Sequence, residues 1–348
     1  MKLFPHLIIG LCAAVTITGC STTSQTENQS STVPLFDGKN LDGWIDAENS
    51  AIAFDSGSVT NWPVFAKKIT DKSDAVSAFL NEQLDDTNRA NLAAFSPANA
   101  KTAKSAFAKS LNKIISGPSI YDASRFQNVP LRPETKELLA KNPSGLELIR
   151  LNKILIEDAY PAEMAQSSPT GWIVKDGVLA STGAGRGVLY TKDDYGHFRL
   201  LLTLRHISGK PDHPAAVLFF CTRPKDGEKP LDALAGIQFM IPEGNHWDYR
   251  PGHNNSGGAE FTTLVKSHIN PHEWSRVEIL VDAAKGTGRL AVAQPPGAKA
   301  VELTDFNLPA AGKTGPIALQ MHNGGLFDEY KDVTIEVNPK VDDLITTK

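Results

Sequence analysis

The stretch Gly244-Asn245-His246-Trp247-Asp248-Tyr249-Arg250-Pro251-Gly252-His253-Asn254-Asn255 gathers two imidazoles, a carboxylate and a guanidinium around two aromatic rings. Such a set can move a proton, hold an anion or ligate a divalent cation. It reads as a loop between strands, which is where a rigid β scaffold carries its chemistry. If the backbone there is locally extended, His246 and Asp248 share one face, as base and orienting carboxylate or as a metal pair. Trp247 then points oppositely, towards core packing. Arg250 would hold an anion or close a surface ion pair, and His253 extends the cluster. After the apolar run 315–321, Gln320 and His322 are again two apart and emerge on one face. His246, Asp248 and His322 could converge on one divalent ion. No closely spaced His/Glu pair on a helix and no Cys pair signals a metal more strongly. No G-x-S-x-G elbow supports a serine triad, and no E-x-D-x-x-E run supplies the paired carboxylates of direct glycan hydrolysis.

The elements that must position these groups are short strands. Residues 197–206, 215–222, 236–241, 274–281, 288–294, 315–321 and 332–337 are apolar or alternating runs bounded by Gly, Pro, Asn and Asp. Strands at this spacing with few helical periods between them predict an antiparallel sandwich. Residues 47–167 differ. Ser96-Pro97 is an N-cap and first-turn proline opening an Ala/Lys-rich helix over 97–115. A second helix starts near Pro133 with Glu134 and Glu137. A third spans 145–159, with Leu148, Leu151 and Leu155 on one face and Pro161 as its stop. This insertion serves as packing or as a lid or partner surface.

The chain's first twenty residues carry Lys2, an apolar run from Leu7 to Ile17 too short to span a bilayer, and Ile17-Thr18-Gly19-Cys20. That ending matches the bacterial lipobox, which makes Cys20 the lipidation site, with 1–20 a signal peptide and 21–33 a polar tether. Export to the bacterial cell envelope follows as an expectation. Ser21, in place of Asp, points to the outer membrane facing the periplasm, so the membrane is a partner through the N-terminal lipid. Of three cysteines only Cys221 then remains in the folded part, as a small buried hydrophobe within an apolar run. With net charge −4 and no basic face, nucleic acid is not an expected partner.

The motifs Leu35-Phe36-Asp37-Gly38-Lys39-Asn40-Leu41-Asp42-Gly43-Trp44 and 171–182 (GWIVKDGVLAST) look like consecutive opening strands of one module. With 187–205, 236–248, 270–281 and the closing 313–324, in that order, the chain resembles the 3-keto-disaccharide hydrolase domain family over 34–46 and 168–338. The resemblance implies an all-β jelly-roll sandwich of concanavalin A-like lectin/glucanase type, with 47–167 as an α-helical insertion and 339–348 as a tail. It implies a carbohydrate on the concave face, an oxidised (3-keto) glycoside above all, and cleavage of the glycosidic bond by proton abstraction at carbon 2 followed by elimination or hydrolysis. A ketone at carbon 3 acidifies the hydrogen on carbon 2, so a base, an electrophile at the keto oxygen and an acid at the leaving group suffice. Carried over by position, His246 and Asp248 become the base and its orienter. His322 becomes the keto-oxygen donor or acid, while Gln238, Trp247, Arg250, His253 and Gln320 contact substrate.

One strand departs from the family pattern. Gly-Tyr-Glu-x-Gln-Ile is replaced by Gly236-Ile237-Gln238-Phe239-Met240-Ile241, and Gln238 cannot take a proton at neutral pH. Either the base is Asp248 or Glu260, or the domain is a non-catalytic carbohydrate-binding lipoprotein. The anchoring expectation has its own test: Cys20→Ser removes the only acylated thiol, so incorporation of radiolabelled lipid and membrane fractionation should both be lost.

Overall fold

The computed structural model describes residues 32–47, 62–73, 77, 81, 84–106, 131–140, 154–184, 187–208, 215–226, 228, 230, 232–241, 247–253, 255, 257–261, 269–322 and 326–348. Cys20 with the signal segment, residues 21–31 of the tether, His246, residues 107–115 and residues 145–153 with Leu148 and Leu151 lie outside them.

Among the described residues the strands are β1 Thr32–Pro34, β2 Trp44–Asp46, β3 Trp172–Lys175, β4 Val178–Ser181, β5 Gly187–Thr191, β6 His197–Ser208, β7 Ala216–Phe219 and β8 Gly236–Met240. They continue as β9 Trp247–Arg250, β10 Ala259–Phe261, β11 Ser275–Asp282, β12 Thr287–Ala293, β13 Val301–Asn307, β14 Ala318–Met321 and β15 Phe327–Val337. They build two antiparallel sheets. One runs β13-β12-β11-β6-β15-β4-β3, with β1 also on β15, and the other runs β10-β9-β8-β7-β14-β5-β2. The fold is the jelly-roll-like β-sandwich that the sequence led us to expect. Asp176 and Gly177, both at positive φ (51° and 79°), make the two-residue turn that joins β3 to β4; an Asp-Gly pair suits such a turn because its backbone twist matches that of the strands.

Strand alternation sends every second side chain between the sheets. Leu200, Leu202 and Leu204 of β6 and Val277 and Ile279 of β11 meet Val217, Phe219, Ile237, Phe239, Leu319 and Met321 of the facing sheet. Phe219 packs edge-on against Phe239, with ring centroids 4.6 Å apart, an arrangement in which positive ring edges meet negative faces. The outer faces are buried too. On the second sheet Ala216, Leu218, Met240, Ala318 and Val188 pack against Cys221, Ala233 and Leu234 of the segment leading into β8. Burial there pushes the Cys221 thiol pKa well up, leaving it an inert packing group.

β1 and β2 precede the helical residues yet pair with β15 and β5 respectively. Across that gap, Asp46 accepts hydrogen bonds from the Thr170 backbone N–H and hydroxyl at 2.8 Å, so the two ends of the intervening chain lie side by side. Described helices are Trp62–Thr70, Asp86–Ala93, Pro133–Ala140 and Pro161–Met164, with residues 100–106 and 154–159 also helical. The helix expected from Pro97 opens as a 3-10 turn, Pro97–Asn99, because the Asn99 side chain accepts from the Ser96 N–H at 2.6 Å and tightens the first turn. Pro161 ends one helix and begins the next, occupying a first-turn position where its missing N–H costs nothing. Leu155 and Ile156 are fully buried against Ala184, and Tyr160 stacks on Phe327 at 5.9 Å. This end of the insertion therefore packs on the sandwich.

The tail is a structural strap. On the outer face of the first sheet Arg199 and Glu278, 3% and 0% exposed, pair at 2.8 Å, and Arg199 also binds Glu336. The remaining valences go to the C-terminal residues. Arg199 donates to the carbonyls of Val341 and Asp343, while Glu278 accepts from Ile345 N, Thr346 N and the Thr346 hydroxyl. Leu344 is fully buried beside Leu280 and Ala291. Breaking a buried pair from one side strands the other charge, so Glu278→Ala should destabilise the protein by roughly 3–5 kcal/mol. Arg289→Ala breaks only more exposed pairs, with Glu302 and with Asp343, and should cost about 0–1 kcal/mol for each. Denaturant unfolding of the two variants checks the contrast, and equal losses would contradict it.

Candidate functional site

The outer face of the second sheet collects the candidate residues. Its inner face takes Ile237, Phe239, Leu319 and Met321, so the alternate residues Gln238, Asp248, Arg250 and Gln320 belong to the outer one. The stretch read as a loop is strand β9 over Trp247–Arg250, paired with β8 so that Gln238 faces Asp248 and Phe239 faces Trp247. It is a strand because Tyr249 packs against the core and the backbone continues the ladder on to β10.

Two polar groups result. The first lies at the end of β14. Asp232, 2% exposed, accepts from Gln320 Nε2 at 3.2 Å and sits 2.5 Å from His322 Nδ1 through the same Oδ2. The anion fixes the proton on Nδ1, so the neutral ring's acceptor is Nε2. The His322 side chain is 28% exposed while its aspartate is sealed, which is the arrangement of a proton-transfer group and its orienter. Asp232 was not singled out from the sequence. It lies in a loop four residues ahead of β8 and 90 residues from His322, with no spacing signal to join them; only its place before a strand bearing Gln238 hinted at a site.

The second group lies on β8 and β9. Arg250 Nε donates to Asp248 Oδ1 at 3.3 Å, with Asp248 1% exposed. Beside it Gln238 is also 1% exposed. His322 and Asp248 do not meet: β7 and β8 separate β14 from β9, a backbone separation of about 14 Å at the usual strand spacing. One ion cannot join Asp248 to His322, which corrects the expectation that both would share a metal with His246. Among the described residues no group of three or more His, Cys, Asp or Glu is placed to hold a metal.

His253 supports the roof over this face. Its Nδ1 accepts the Ala235 backbone N–H at 3.0 Å, and its Nε2 lies 3.5 Å from Glu228, tying the 228–235 segment to the end of β9. Gly236 lets that segment turn: at φ 152° it approaches the Phe219 carbonyl and Cys221 so closely that a Cβ would lie 2.7 Å from that oxygen. Burial holds the His253 pKa below its ordinary value, against the opposing pull of Glu228. The unfolded chain therefore binds this proton more readily than the folded one. The contribution to stability is complete above the ordinary histidine pKa of about 6.5 and is lost as pH falls from there through the folded value. Thermal melts should show a downward limb as pH falls below about 6.5, and His253→Gln should flatten it; an unchanged limb would assign it to another group.

A model of the 3-keto-alpha-glucoside-1,2-lyase-like domain matches residues 159–336, half of the chain. No curated protein matches it. Solved structures that match in part include a putative glycosyl hydrolase of Parabacteroides distasonis (16% identity, 49% of this chain and 91% of that one, TM-score 0.35). Others are the exoplasmic domain of VIP36 in a Ca2+- and mannose-bound form (10%, 51% and 85%, TM-score 0.36) and the carbohydrate-binding module CBM66 of Bacillus subtilis (10%, 45% and 86%, TM-score 0.32). By its matched domain and the two sheets that domain builds, the chain belongs to the 3-keto-alpha-glucoside-1,2-lyase-like family.

Proposed function

We propose that this protein is a carbohydrate-active enzyme of the cell envelope that cleaves 3-keto-glycosides by elimination, with His322 as the proton carrier. The observation that carries the reading is the His322–Asp232–Gln320 cluster, a partly exposed imidazole whose Nδ1 proton is held by a buried carboxylate. In the neutral ring Nε2 takes the proton from carbon 2 of the sugar. The C2–H electron pair becomes the enolate, the carbonyl reforms at carbon 3 as a double bond appears between carbons 1 and 2, and the bond from carbon 1 to the glycosidic oxygen breaks. That oxygen receives the proton from His322 and leaves as an alcohol. Water adds across the new double bond in a second step, giving the free 3-keto sugar. Asp232 acts through His322, steadying the imidazolium formed midway.

Anchoring through a lipid on Cys20 belongs to the same reading, because an exported enzyme of this kind meets its glycoside outside the cytoplasm. A second reading, a binding module without turnover, is favoured by Gln238, which stands where the family pattern carries an acid. The two separate on one substrate. With a 3-keto-glucoside, His322→Gln should lower kcat by roughly 10²–10⁴, the contribution of a positioned acid–base group. Asp232→Asn should shift the pH profile of kcat while leaving KM little changed. Deuterium at carbon 2 should slow the wild type. Wild-type protein that binds the keto-sugar and never releases its aglycone would establish the binding module instead.

A further inference from the structure

His253 ties the chain just after β9 to the short stretch that carries Asp232. A backbone N–H can only donate, so the bond from Ala235 N–H makes Nδ1 of His253 the acceptor. The neutral ring's own proton is then on Nε2, 3.5 Å from Glu228 Oε2. Ala235 is also held from its other side, because its carbonyl accepts the Thr222 N–H at 2.8 Å. Gly236, at φ 152°, is the joint that follows it. Between Ala235 and Asp232 lie only Ala233 and Leu234, both fully buried in the cluster with Ala216, Leu218 and Ala318. At the far end of this stretch the Asp232 carboxylate holds His322 Nδ1 and Gln320 Nε2. Two packed residues therefore separate the backbone group that His253 grips from the carboxylate that orients His322.

We infer that His253 is a positioning residue for the Asp232–His322 pair, a latch that grips Ala235 while its ring is neutral and lets go when the ring takes a second proton. That proton can go only to Nδ1, since Nε2 already carries one. It sets the new imidazolium N–H against Ala235 N–H, donor against donor, so one proton is gained and one hydrogen bond is lost. The charged groups facing the ring are Glu228, which favours the second proton, and Lys313, ahead of β14, which opposes it. Lys313 also donates to the Thr222 hydroxyl at 2.8 Å. With Thr222 still bonded to Ala235 and with Ala233 and Leu234 still packed, release shifts Asp232 locally and leaves the roof folded. The inference goes beyond the proposed reaction: it concerns how Asp232 is held against His322, and it stands whether that pair transfers a proton or only binds.

Two variants of the full chain, measured without substrate, separate the latch from simple packing. In His253→Gln the side-chain oxygen can accept from Ala235 N–H and the amide can donate to Glu228, a neutral latch that does not titrate. His253→Ala has no latch at any pH. Nitrogen-15 shifts of the His322 ring, read well above the ordinary histidine pKa of about 6.5, report its tautomer. Wild type and His253→Gln should hold the Nδ1–H form that Asp232 selects, and His253→Ala should move towards the Nε2–H form usual for an unrestrained imidazole. Hydrogen exchange of residues 232–235 supplies the pH arm. Wild type and His253→Gln should exchange alike while the His253 ring is neutral. Once that ring, followed by its own shifts, is protonated, the wild type should exchange about fivefold faster than His253→Gln at the same pH, the worth of one ordinary hydrogen bond. Circular dichroism would verify folding, and if His253→Ala does not fold the exchange comparison decides alone. An unchanged His322 tautomer in a folded His253→Ala, equal exchange of wild type and His253→Gln at both ends of the titration, or a His253 ring that stays neutral until the protein unfolds would each overturn the inference. No release of aglycone from a 3-keto-glycoside would remove the lyase reading alone and leave the latch standing.

Discussion

The second sheet is dehydrated on both of its faces, and the behaviour of every candidate residue depends on that. A strand with one wet face can carry polar side chains at no cost, but β7, β8, β5 and β14 are buried at each position. The outward residues on them are apolar, as with Ala216, Leu218, Ala318 and Met240, or they are polar and must find partners. Gln320 finds Asp232. The orphaned atoms of Gln238, Asp248 and Gln320 do not, and each left unsatisfied costs on the order of 1–3 kcal/mol. A fold that only needed to be stable would fill those positions with Val or Leu. These four atoms are polar groups of this face that the protein itself does not satisfy.

The first sheet solves the same problem in the opposite way. Its outer face also carries buried charge, Arg199 and Glu278, yet every valence there is matched by Glu336 and by backbone groups of residues 341–346. A fully connected buried network rigidifies a structure, and a partly connected one leaves binding capacity. The ion pair on the first sheet is fully connected, and the Gln238–Asp248 pair on the second is not. The C-terminal residues are what seal the first.

Much of the architecture was legible in the chain because it depends on local periodicity. Alternation in 197–206 and 274–281 needed no tertiary information. β9 was missed for a physical reason: Trp247–Arg250 alternates apolar and charged residues but ends at Pro251-Gly252, so a four-residue ladder looks like a turn until its partner β8 is known. The tail was unreadable because its partners, Arg199 and Glu278, lie 142 and 67 residues away. The site was legible in pieces. Period-two spacing put Gln320 with His322 and His246 with Asp248, but the order of strands β9-β8-β7-β14, which keeps Asp248 apart from His322, is a property of topology. Asp232 came from neither, as its loop acquires meaning only once it folds across β14.

That topology also gives a local reason for the glutamine at position 238. Gln238 and Asp248 are direct partners on neighbouring strands, both sealed from water. A carboxylate at 238 would put two buried anions side by side with one guanidinium, Arg250, to serve them, and like charges at such a distance cannot both ionise in a dry setting. The chain holds one anion for one cation and a neutral carboxamide beside them. Replacing the acid expected from the family pattern is thus coupled to having Asp248 and Arg250 on the next strand, and the departure at 238 redistributes charge within one face. The His322 cluster keeps its own carboxylate, Asp232, beside a partly exposed imidazole, three strands away from this pair.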